Sequence, residues 1–376
     1  MTENIAVDSH QIYKDFDNLA ERAEIAFQEV RTTEYLAARL DELGVPYERF
    51  DQMTGLIATL NPGQPFVVGV RTDIDALKQT YQGKTQVLHS CGHNAHMAII
   101  LAVATYFAAH PAEMPGTLKL IFQPAEETVT GAEKVIQSGK LGVLDVLYGL
   151  HVCPKNELAA KQAEPLLPDI ATRTYWVTIT GKTAHAGRPE LGANVIDAFT
   201  DLNERFKRIK LTTDLPYSIT TTMVQAGESS NIVPDRGTFA VDLRARTNAM
   251  MDALQVQAFQ AMRTVSRDGI QVTMDGNDLS PAAIPSKTAT ATMRRAIVSV
   301  LGERGVVAPV PTQGGDDFHF YAYDGVAKES TMLGLGCDLT PGLHVPGMTF
   351  DHTAMVDGAR MMINAVRFTR PESATN

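Results

Sequence analysis

Residues 66–122 read FVVGVRTDIDALKQTYQGKTQVLHSCGHNAHMAIILAVATYFAAHPAEMPGTLKLIF, and this stretch decides the fold class. A short β-branched run at 66–70 predicts a strand, and a run at 94–109 that is apolar on nearly all sides predicts a buried helix. A second strand pattern follows at 117–122. Strands that alternate with helices are typical of a mostly parallel sheet with helices on its faces. The stretch therefore predicts an α/β fold.

The same alternation extends on both sides of this stretch. The first 60 residues have helical spacing, clearest at 32–44, and a short helix and a strand are predicted at 131–139 and 146–152. After residue 285 the chain returns to a helix, at 288–305, and then to short strands. These elements extend the predicted α/β fold.

A different pattern occupies the middle of the chain. From residue 172 the predicted elements follow the order strand, helix, strand, strand, helix, strand. This order is typical of a ferredoxin-like α+β domain. We therefore predict an α/β domain built from residues 1–171 and 286–376, with a smaller α+β domain inserted at 172–285.

The composition disfavours several classes of function. The chain carries 33 Lys and Arg against 43 Asp and Glu, which disfavours a basic surface for nucleic acid or anionic lipid. The first residues lack the apolar core of a signal peptide, and the longest apolar run, at 97–109, falls short of the ~20 residues that a membrane span needs. We expect a cytoplasmic protein with no nucleic-acid and no membrane partner.

Three cysteines are too few for a disulfide scaffold, so each is interpreted by itself. Cys153 and Cys337 lie in apolar runs and are expected to be small buried thiols. Cys91 lies instead among histidines, which indicates a metal ligand.

Side chains that can bind a metal ion follow the predicted strands or precede the buried helix. They are Asp73, Asp75, His89, Cys91, His93, His96, Glu126, Glu127, His151, His344 and His352. Because the carboxyl ends of parallel strands meet at one edge of a sheet, we expect many of these side chains to converge there. Asp73 and Asp75 have an alternative interpretation, as helix-capping or turn acids.

The segment HSCGHNAHM contains the densest of these clusters. Thiolate and imidazole are strong ligands for zinc-like ions, and Gly92 lets the backbone turn so that Cys91 and His93 converge. We expect this pair to bind metal. His89 and His96 are expected to orient the ligands or the substrate through hydrogen bonds.

The adjacent carboxylates Glu126 and Glu127 suit a metal-dependent hydrolase. One carboxylate binds the metal while the other takes a proton from a water molecule. His151 at a strand end and a late histidine would complete the cage. We prefer His344 to His352 for that position because His344 follows an apolar run. The combined set is large enough for two metal ions.

Seven segments carry a family resemblance, in chain order. They are RTDIDAL (71–77), HSCGHNAHM (89–97), FQPAEE (122–127), YGLHV (148–152), GKTAHAGRP (181–189), NIVP (231–234) and GLHVPGMTFD (342–351). The chain resembles the aminoacylase and carboxypeptidase G family of metal-dependent amidohydrolases. It is most similar to the branch of hippurate hydrolases, indole-acetyl-amino-acid hydrolases and N-acetyldiaminopimelate deacetylases.

The resemblance implies roles for most of these side chains. The implied ligands of two divalent metal ions (Zn, Mn, Co or Ni) are Cys91, His93, Glu127, His151 and His344. Glu126 matches the general base. His185 matches a group that stabilises the tetrahedral oxyanion, and Asn231 a position near the substrate.

The inserted domain resembles the lid and dimerisation domain of the family, which implies a homodimer or a higher homo-oligomer. An arginine or a backbone donor of this domain is expected to bind a substrate carboxylate through paired hydrogen bonds. Arg188 and Arg244 are the candidates.

The chain departs from the pattern of the branch at three places and from that of more distant branches at a fourth. Asn94 replaces the usual Asp after CGH, and Asp316-Asp317-Phe318 replaces Glu-Asp-Phe. The segment ERAEIAFQE (21–29) replaces an N-terminal His-x-x-Pro-Glu pattern. Arg71 stands where more distant branches have a metal-binding His, so we expect Asp73 to support the ligands rather than to bind metal.

The expected activity is hydrolysis of the amide bond of N-acyl amino acids, in particular N-acetyl amino acids, by water that metal and a glutamate base activate. An alternative within the family is a dipeptidase or an aminobenzoyl-glutamate-type hydrolase with the same metal site. A second alternative is a cysteine amidase with Cys91 as nucleophile. A third is a binding module that kept the fold without catalysis.

Overall fold

The computed structural model describes residues 5–312 and 314–371 of the chain, which form two compact units. The first unit comprises the described residues up to Pro168, Ile284–Pro311 and the described residues from Asp317 onward. The second unit comprises Asp169–Ala283 and Thr312–Asp316. Its long segment lies within three residues of the inserted domain expected at 172–285, and the short returning segment was not predicted.

The described residues form both α-helices and β-strands. The α-helices are α1 (Ser9–Ala20), α2 (Val30–Glu42), α3 (His93–Ala109), α4 (Gly131–Gln137), α5 (Val195–Arg208), α6 (Asn248–Val265), α7 (Lys287–Leu301), α8 (Phe320–Tyr323) and α9 (Thr353–Phe368). The strands are β1 (Tyr47–Arg49), β2 (Leu56–Leu60), β3 (Val67–Asp73), β4 (Leu77–Tyr81), β5 (Lys84–Leu88), β6 (Thr117–Gln123), β7 (Leu144–Pro154), β8 (Ala163–Glu164), β9 (Ala171–Thr180), β10 (Ala184–His185), β11 (Tyr217–Ala226), β12 (Ile232–Val233), β13 (Arg236–Ala245), β14 (Gln271–Ser280) and β15 (Ala327–Leu339).

The main sheet of the first unit has the order β1-β2-β6-β3-β7-β15-β8. Its four central strands, β6, β3, β7 and β15, are parallel, and the flanking strands β2 and β8 run antiparallel to their neighbours. Val68, Val70 and Leu120 of the central strands are fully buried, as expected of a parallel sheet covered on both faces. The predicted α/β fold class is confirmed.

Helix α3 is the buried helix that the sequence predicts, and it packs in the core of the first unit. Met97, Ile100 and Phe107 are completely buried. The helix begins directly after Gly92, whose φ of +89° is open to glycine and whose Cβ, if present, would lie 2.5 Å from Val152 Cγ2. Among the described residues, no helix combines the length and the apolar character needed to cross a bilayer.

Two expectations for the first unit were wrong. The first 60 residues are not purely helical, because Leu56–Leu60 forms a strand that pairs with β6. The region after 305 contains the 13-residue strand β15 instead of only short strands, and it ends in the long helix α9. β15 pairs with β7 along nearly its whole length. Its glycines locally disfavour one long strand, and the pairing with β7 outweighs that local preference.

The second unit has the ferredoxin-like arrangement that its element order predicts. The antiparallel sheet has the order β11-β13-β9-β14, and α5 and α6 connect its strands. Leu202 of α5 and Leu254 of α6 are buried with Val177 and Val241 of the sheet. A separate two-stranded ribbon joins β10 to β12.

Candidate metal centre

The carboxyl ends of the central strands and the start of α3 meet at one edge of the main sheet. Asp73 is the last residue of β3, Gln123 is the last residue of β6, and His151 lies near the end of β7. His93 is the first residue of α3. Because parallel strands end on the same side of a sheet, these elements bring their polar side chains together.

The five side chains proposed as metal ligands form one contiguous cluster. The Sγ atom of Cys91 lies 3.5 Å from Nε2 of His151 and 3.3 Å from Nε2 of His344. Glu127 bridges the cluster, with Oε2 at 3.4 Å from Nε2 of His344 and Oε1 at 3.9 Å from Nε2 of His93. These ligand atoms lie close enough together to share metal ions.

Two buried atoms in this cluster have no hydrogen-bond partner among the described residues, and they lie 3.9 Å apart. They are Nε2 of His93 and Oε1 of Glu127. A buried polar atom without a partner costs about 1–3 kcal/mol, so native structures rarely leave two side by side. A divalent cation that takes one ligand atom from each residue removes both penalties. The mixed sulfur, nitrogen and oxygen donors suit a zinc-like transition metal.

His93 is held with Nε2 directed into the cluster. Its Nδ1 lies 2.9 Å from the carbonyl oxygen of Asp75, which can only accept, so Nδ1 carries a proton. Burial alone would lower the pKa of His93, but the charge of Asp73 and the hydrogen bond to Asp75 hold that pKa well above its usual value. A metal ion can bind Nε2 only when that atom carries no proton.

His96 connects α3 to β7 immediately behind the cluster. Its Nε2 accepts the backbone N–H of Val152 at 3.1 Å, so the proton is on Nδ1, which donates to Asp73 Oδ1 at 2.8 Å. Burial lowers the pKa of His96 to about 4, which keeps the ring neutral. His96 thus fixes the backbone next to His151, and its expected orienting role stays a prediction.

Asp73 is surrounded by donors on its side of the cluster. Besides His96, Arg71 donates to its Oδ2 at 2.8 Å, and the same guanidinium reaches Asp317 Oδ1 at 2.5 Å. Gln123 also donates to Asp317, at 2.7 Å. Burial alone would raise the pKa of Asp73, but the charge of His93, the contact with His96 and the Arg71 guanidinium hold that pKa well below its usual range. A fixed arginine charge therefore stands beside the centre at the position where distant branches have a histidine.

The two adjacent glutamates lie on a strained turn. Glu126 begins a three-residue 3-10 helix, and the residues that flank it, Ala125 and Val129, have left-handed φ values of 58° and 55°. Such a conformation costs a non-glycine residue about 1–3 kcal/mol and is typical of functional sites. Burial raises the pKa of Glu127 to about 7 in the metal-free protein.

His344 is held on its loop by main-chain contacts to other segments. It has a left-handed φ of 61°, its N–H donates to the carbonyl of Ser90 at 2.7 Å, and its own carbonyl accepts from Gln79 Nε2 at 2.7 Å. The side chain is 57% exposed, unlike that of Glu127 at 7%. His344 therefore forms the open side of the cluster.

Two further candidate histidines and the two other cysteines of the first unit have other surroundings. The ring of His89 lies 6.5 Å from that of His93, and burial lowers its pKa to about 3. His352 packs against the ring of Phe16 at 4.6 Å instead of joining the cluster. Cys153 and Cys337 are buried free thiols, as predicted.

In the second unit, three of the four predicted residues share one ribbon. His185 on β10 pairs with Ile232 on β12, the N–H of Arg188 donates to the carbonyl of His185, and the carbonyl of Asn231 accepts from Ala186. Their proposed catalytic and substrate roles stay predictions.

Arg244 lies elsewhere in the second unit. It is on β13 opposite Thr172, whereas Arg236 at the other end of β13 pairs with Thr180, just before the ribbon. Eight residues of strand separate the two ends, about 26 Å. The structure therefore does not bring Arg244 next to Arg188 within the unit, and Arg244 is engaged with Asp242 at 2.8 Å.

Glu29 lies against the strained turn, and no sequence pattern identified this residue as part of the site. Its carboxylate is fully buried, accepts the N–H of Ala125 at 2.9 Å and accepts the hydroxyl of Thr54. Burial raises the pKa of Glu29 to about 7, against the lowering effect of these hydrogen bonds.

Glu29 gives a prediction for the pH dependence of stability. The pKa of Glu29 in the folded protein lies above its value of 4.5 in the unfolded chain. The stability that this difference contributes is therefore complete at a pH below the unfolded pKa, and it is lost as the pH rises through about 7. Glutamine at this position does not titrate. We therefore expect the free energy of unfolding of Glu29→Gln, measured relative to that of the unsubstituted protein, to rise by roughly 2 kcal/mol from about pH 5.5 to about pH 8. Urea unfolding of both metal-free proteins measures the difference. A difference that is the same at both pH values would contradict the prediction.

Comparison with known proteins identifies the family. Residues 69–367 match peptidase family M20/M25/M40 over most of the chain. The chain belongs to this family. The matched region includes the segments that carry the resemblance found in the sequence, so the predicted family membership is confirmed.

Individual members of the family that are similar to this chain include enzymes named for amide hydrolysis. IAA-amino acid hydrolase ILR1-like 2 of Arabidopsis thaliana is 26% identical over 330 residues, which cover 84% of this chain and 74% of the relative. N-acetyl-L-cysteine deacetylase of Bacillus subtilis (strain 168) is 25% identical over 364 residues, covering 93% and 86%.

A solved structure of an M20 protein has the same fold. The YXEP protein of Bacillus subtilis, described as a dinuclear metal binding peptidase from the M20 family, aligns with a TM-score of 0.78 at 24% identity. The alignment covers 96% of this chain and 97% of that one.

Proposed function

We propose that this M20 protein hydrolyses the amide bond of N-acyl amino acids, in particular N-acetyl amino acids, with two divalent metal ions. The observation that carries the proposal is the pair of unpartnered buried atoms, His93 Nε2 and Glu127 Oε1, inside a cluster of metal-ligand side chains. The names of two relatives, an IAA-amino acid hydrolase and an N-acetyl-L-cysteine deacetylase, support the substrate class.

Five side chains are proposed to hold the metal ions, which are Zn, Mn, Co or Ni. They are Cys91, His93, Glu127, His151 and His344. When bound, the ions polarise the scissile carbonyl and lower the pKa of a water molecule toward ~7. The description of the YXEP protein as dinuclear supports two ions.

Glu126 is proposed as the general base. It is 8% exposed, and its Oε2 lies 3.8 Å from His93 Nε2, at the inner edge of the ligand cluster. From there its carboxylate can take a proton from the attacking water and later deliver it to the leaving amine. General acid–base catalysis of this kind contributes about 10²–10⁴-fold.

Residues of the second unit are proposed to bind the rest of the substrate. His185 stabilises the developing oxyanion by donating a hydrogen bond. Asn231 and an arginine contact the substrate, and Arg188 is favoured over Arg244 because Arg188 shares the ribbon of His185. A homodimer or higher homo-oligomer and a cytoplasmic location remain part of the proposal.

A substrate panel tests the function and separates it from the family alternative. Metal-free protein is supplied with Zn²⁺, Mn²⁺, Co²⁺ or Ni²⁺ and offered N-acetyl amino acids, other N-acyl amino acids, dipeptides and aminobenzoyl-glutamate. We expect the highest kcat/KM with an N-acyl amino acid. A higher kcat/KM with a dipeptide or with aminobenzoyl-glutamate would favour the alternative, and hydrolysis of none of them would favour a non-catalytic binding module. The Glu126→Gln variant on the same panel controls for contaminating hydrolases.

A further inference from the structure

Three successive backbone N–H groups on the strained turn are all bound by side-chain carboxylates. The N–H of Ala125 donates to Glu29 Oε1 at 2.9 Å. The N–H of Glu126 donates to Asp75 Oδ1 at 3.1 Å, and that of Glu127 to Asp75 Oδ2 at 3.0 Å. Two carboxylates from distant segments thus bind three consecutive amides, and the last two belong to the proposed base and to a proposed metal ligand.

Both carboxylates are inaccessible to solvent, and neither lies in the ligand cluster. Glu29 and Asp75 are each 0% exposed. Glu29 directly precedes α2, and Asp75 follows the end of β3. Asp75 also lies 3.4 Å from Nδ1 of His93, on the side of the ring that faces away from Glu127. Burial shields these hydrogen bonds from water, which strengthens them.

The turn needs such support because its own backbone conformation is unfavourable. Ala125 has a left-handed φ of 58°, and Val129 at the other side has a φ of 55°. A β-branched residue seldom adopts this conformation unless its surroundings impose it. Gly131 allows the chain to continue, because a Cβ there would lie 1.8 Å from the carbonyl oxygen of Pro124.

We propose that Glu29 and Asp75 are positioning residues that together hold the turn, so that Glu126 and Glu127 point into the metal centre. The proposal rests on the proposed function for the roles of the two glutamates. It makes Asp75 the more important of the pair, because Asp75 holds both glutamates while Glu29 holds only Ala125.

Replacing each acid by its amide distinguishes this arrangement from a general need for buried charge. Asp75 accepts an N–H with each oxygen, and asparagine offers only one acceptor, so its NH₂ group would face a second donor. Glu29 accepts one N–H and one hydroxyl. The hydroxyl of Thr54 can instead accept from an NH₂ group, so glutamine can keep both contacts.

The experiment compares Asp75→Asn with Glu29→Gln in the full chain. Co²⁺ is titrated into metal-free protein and followed by its visible absorption, and kcat and KM are measured on an N-acyl amino acid that the unsubstituted protein hydrolyses. We expect Asp75→Asn to lower Co²⁺ affinity and kcat by about 10–100-fold with little change in KM and an altered Co²⁺ spectrum. Glu29→Gln should lose less than about threefold in each quantity. Glu29→Met, which removes the acceptor at similar length, should lose kcat as Asp75→Asn does.

A matched control separates positioning from general destabilisation. Asp15→Asn makes the same substitution at another buried carboxylate, which accepts from Tyr35 at 2.6 Å and Arg39 at 2.9 Å on the α1–α2 side of the unit. It should lower the thermal midpoint and leave the Co²⁺ spectrum and kcat as they are.

Each outcome decides the proposal. The proposal would be overturned if Asp75→Asn had the Co²⁺ spectrum and the kcat of the unsubstituted protein. It would also be overturned if Glu29→Gln lost as much Co²⁺ affinity and kcat as Asp75→Asn. If Asp75→Asn does not fold, the contrast between Glu29→Met and Glu29→Gln decides, and equal kcat values in those two would overturn the role of Glu29. If the unsubstituted protein hydrolyses no substrate, the proposed function fails by itself, and the Co²⁺ spectra still test the positioning of the turn.

Discussion

The Glu126→Gln variant is expected to lose about 10²–10⁴-fold in kcat while it keeps its metal ions. Glutamine has nearly the same shape as glutamate but cannot take a proton from water. Glu126 is buried at the inner edge of the ligand cluster, and its N–H is held by Asp75, so the substituted side chain should keep its position. Steady-state kinetics and metal analysis of the same preparation measure both quantities.

The neighbouring Glu127→Gln variant is the matched comparison. It removes an identical charge one residue away, but from a proposed ligand that lies 3.4 Å from His344 Nε2. We expect this variant to bind metal more weakly, so that added metal restores part of its activity. Added metal should not restore Glu126→Gln. Near-normal turnover in Glu126→Gln would refute its assignment as the base.

The second large effect is expected from removal of metal. Dialysis against a strong chelator should abolish hydrolysis, and addition of Zn²⁺, Mn²⁺, Co²⁺ or Ni²⁺ should restore it, because the ions activate both water and carbonyl. The ligand set supports this expectation, since His93 Nε2 and Glu127 Oε1 have no hydrogen-bond partner in the part of the chain that the structure describes. Activity measured before chelation, after chelation and after each addition gives the result.

The same experiment separates this mechanism from a cysteine amidase. Such an enzyme would keep its full activity after chelation, because its nucleophile would be the thiolate of Cys91. Burial raises the pKa of the Cys91 thiol far above its usual value, so the metal-free thiol is protonated and a weak nucleophile. We therefore also expect slow alkylation of Cys91 in the metal-free protein.

Local sequence patterns were sufficient to predict the elements that deliver the ligands. The apolar run within α3, the strand ending near Asp73 and the strand containing His151 each show their character in a short local segment. Because parallel strands end at a common edge, these local patterns also predicted that their polar residues converge.

Contacts between distant segments could not be predicted in the same way. Arg71 and Asp317 are 246 residues apart in the chain and touch in the core, and Glu29 reaches a turn 96 residues later. The periodicity of apolar residues along the sequence does not predict such pairings, because they depend on how the elements pack. The length of strand β15 was underestimated for the same reason, since its pairing with β7 extends the strand across its glycines.

The role of Asp75 shows a limit of a different kind. The sequence marked it as a polar residue after a strand, and its alternative interpretation as a turn acid was close to what the structure contains. The turn that it binds is not its own, however, but the one that carries Glu126 and Glu127. Only the folded structure identifies that partner.

Metal titration of the metal-free protein, with hydrolysis of an N-acetyl amino acid as the readout, tests the central claim most directly. Aliquots of Zn²⁺ or Co²⁺ are added, and the initial rate is measured after each one. We predict that activity is absent at first, rises with added metal and saturates near two equivalents per chain. Hydrolysis that is already complete without metal, or that does not appear at any metal content, would contradict the account.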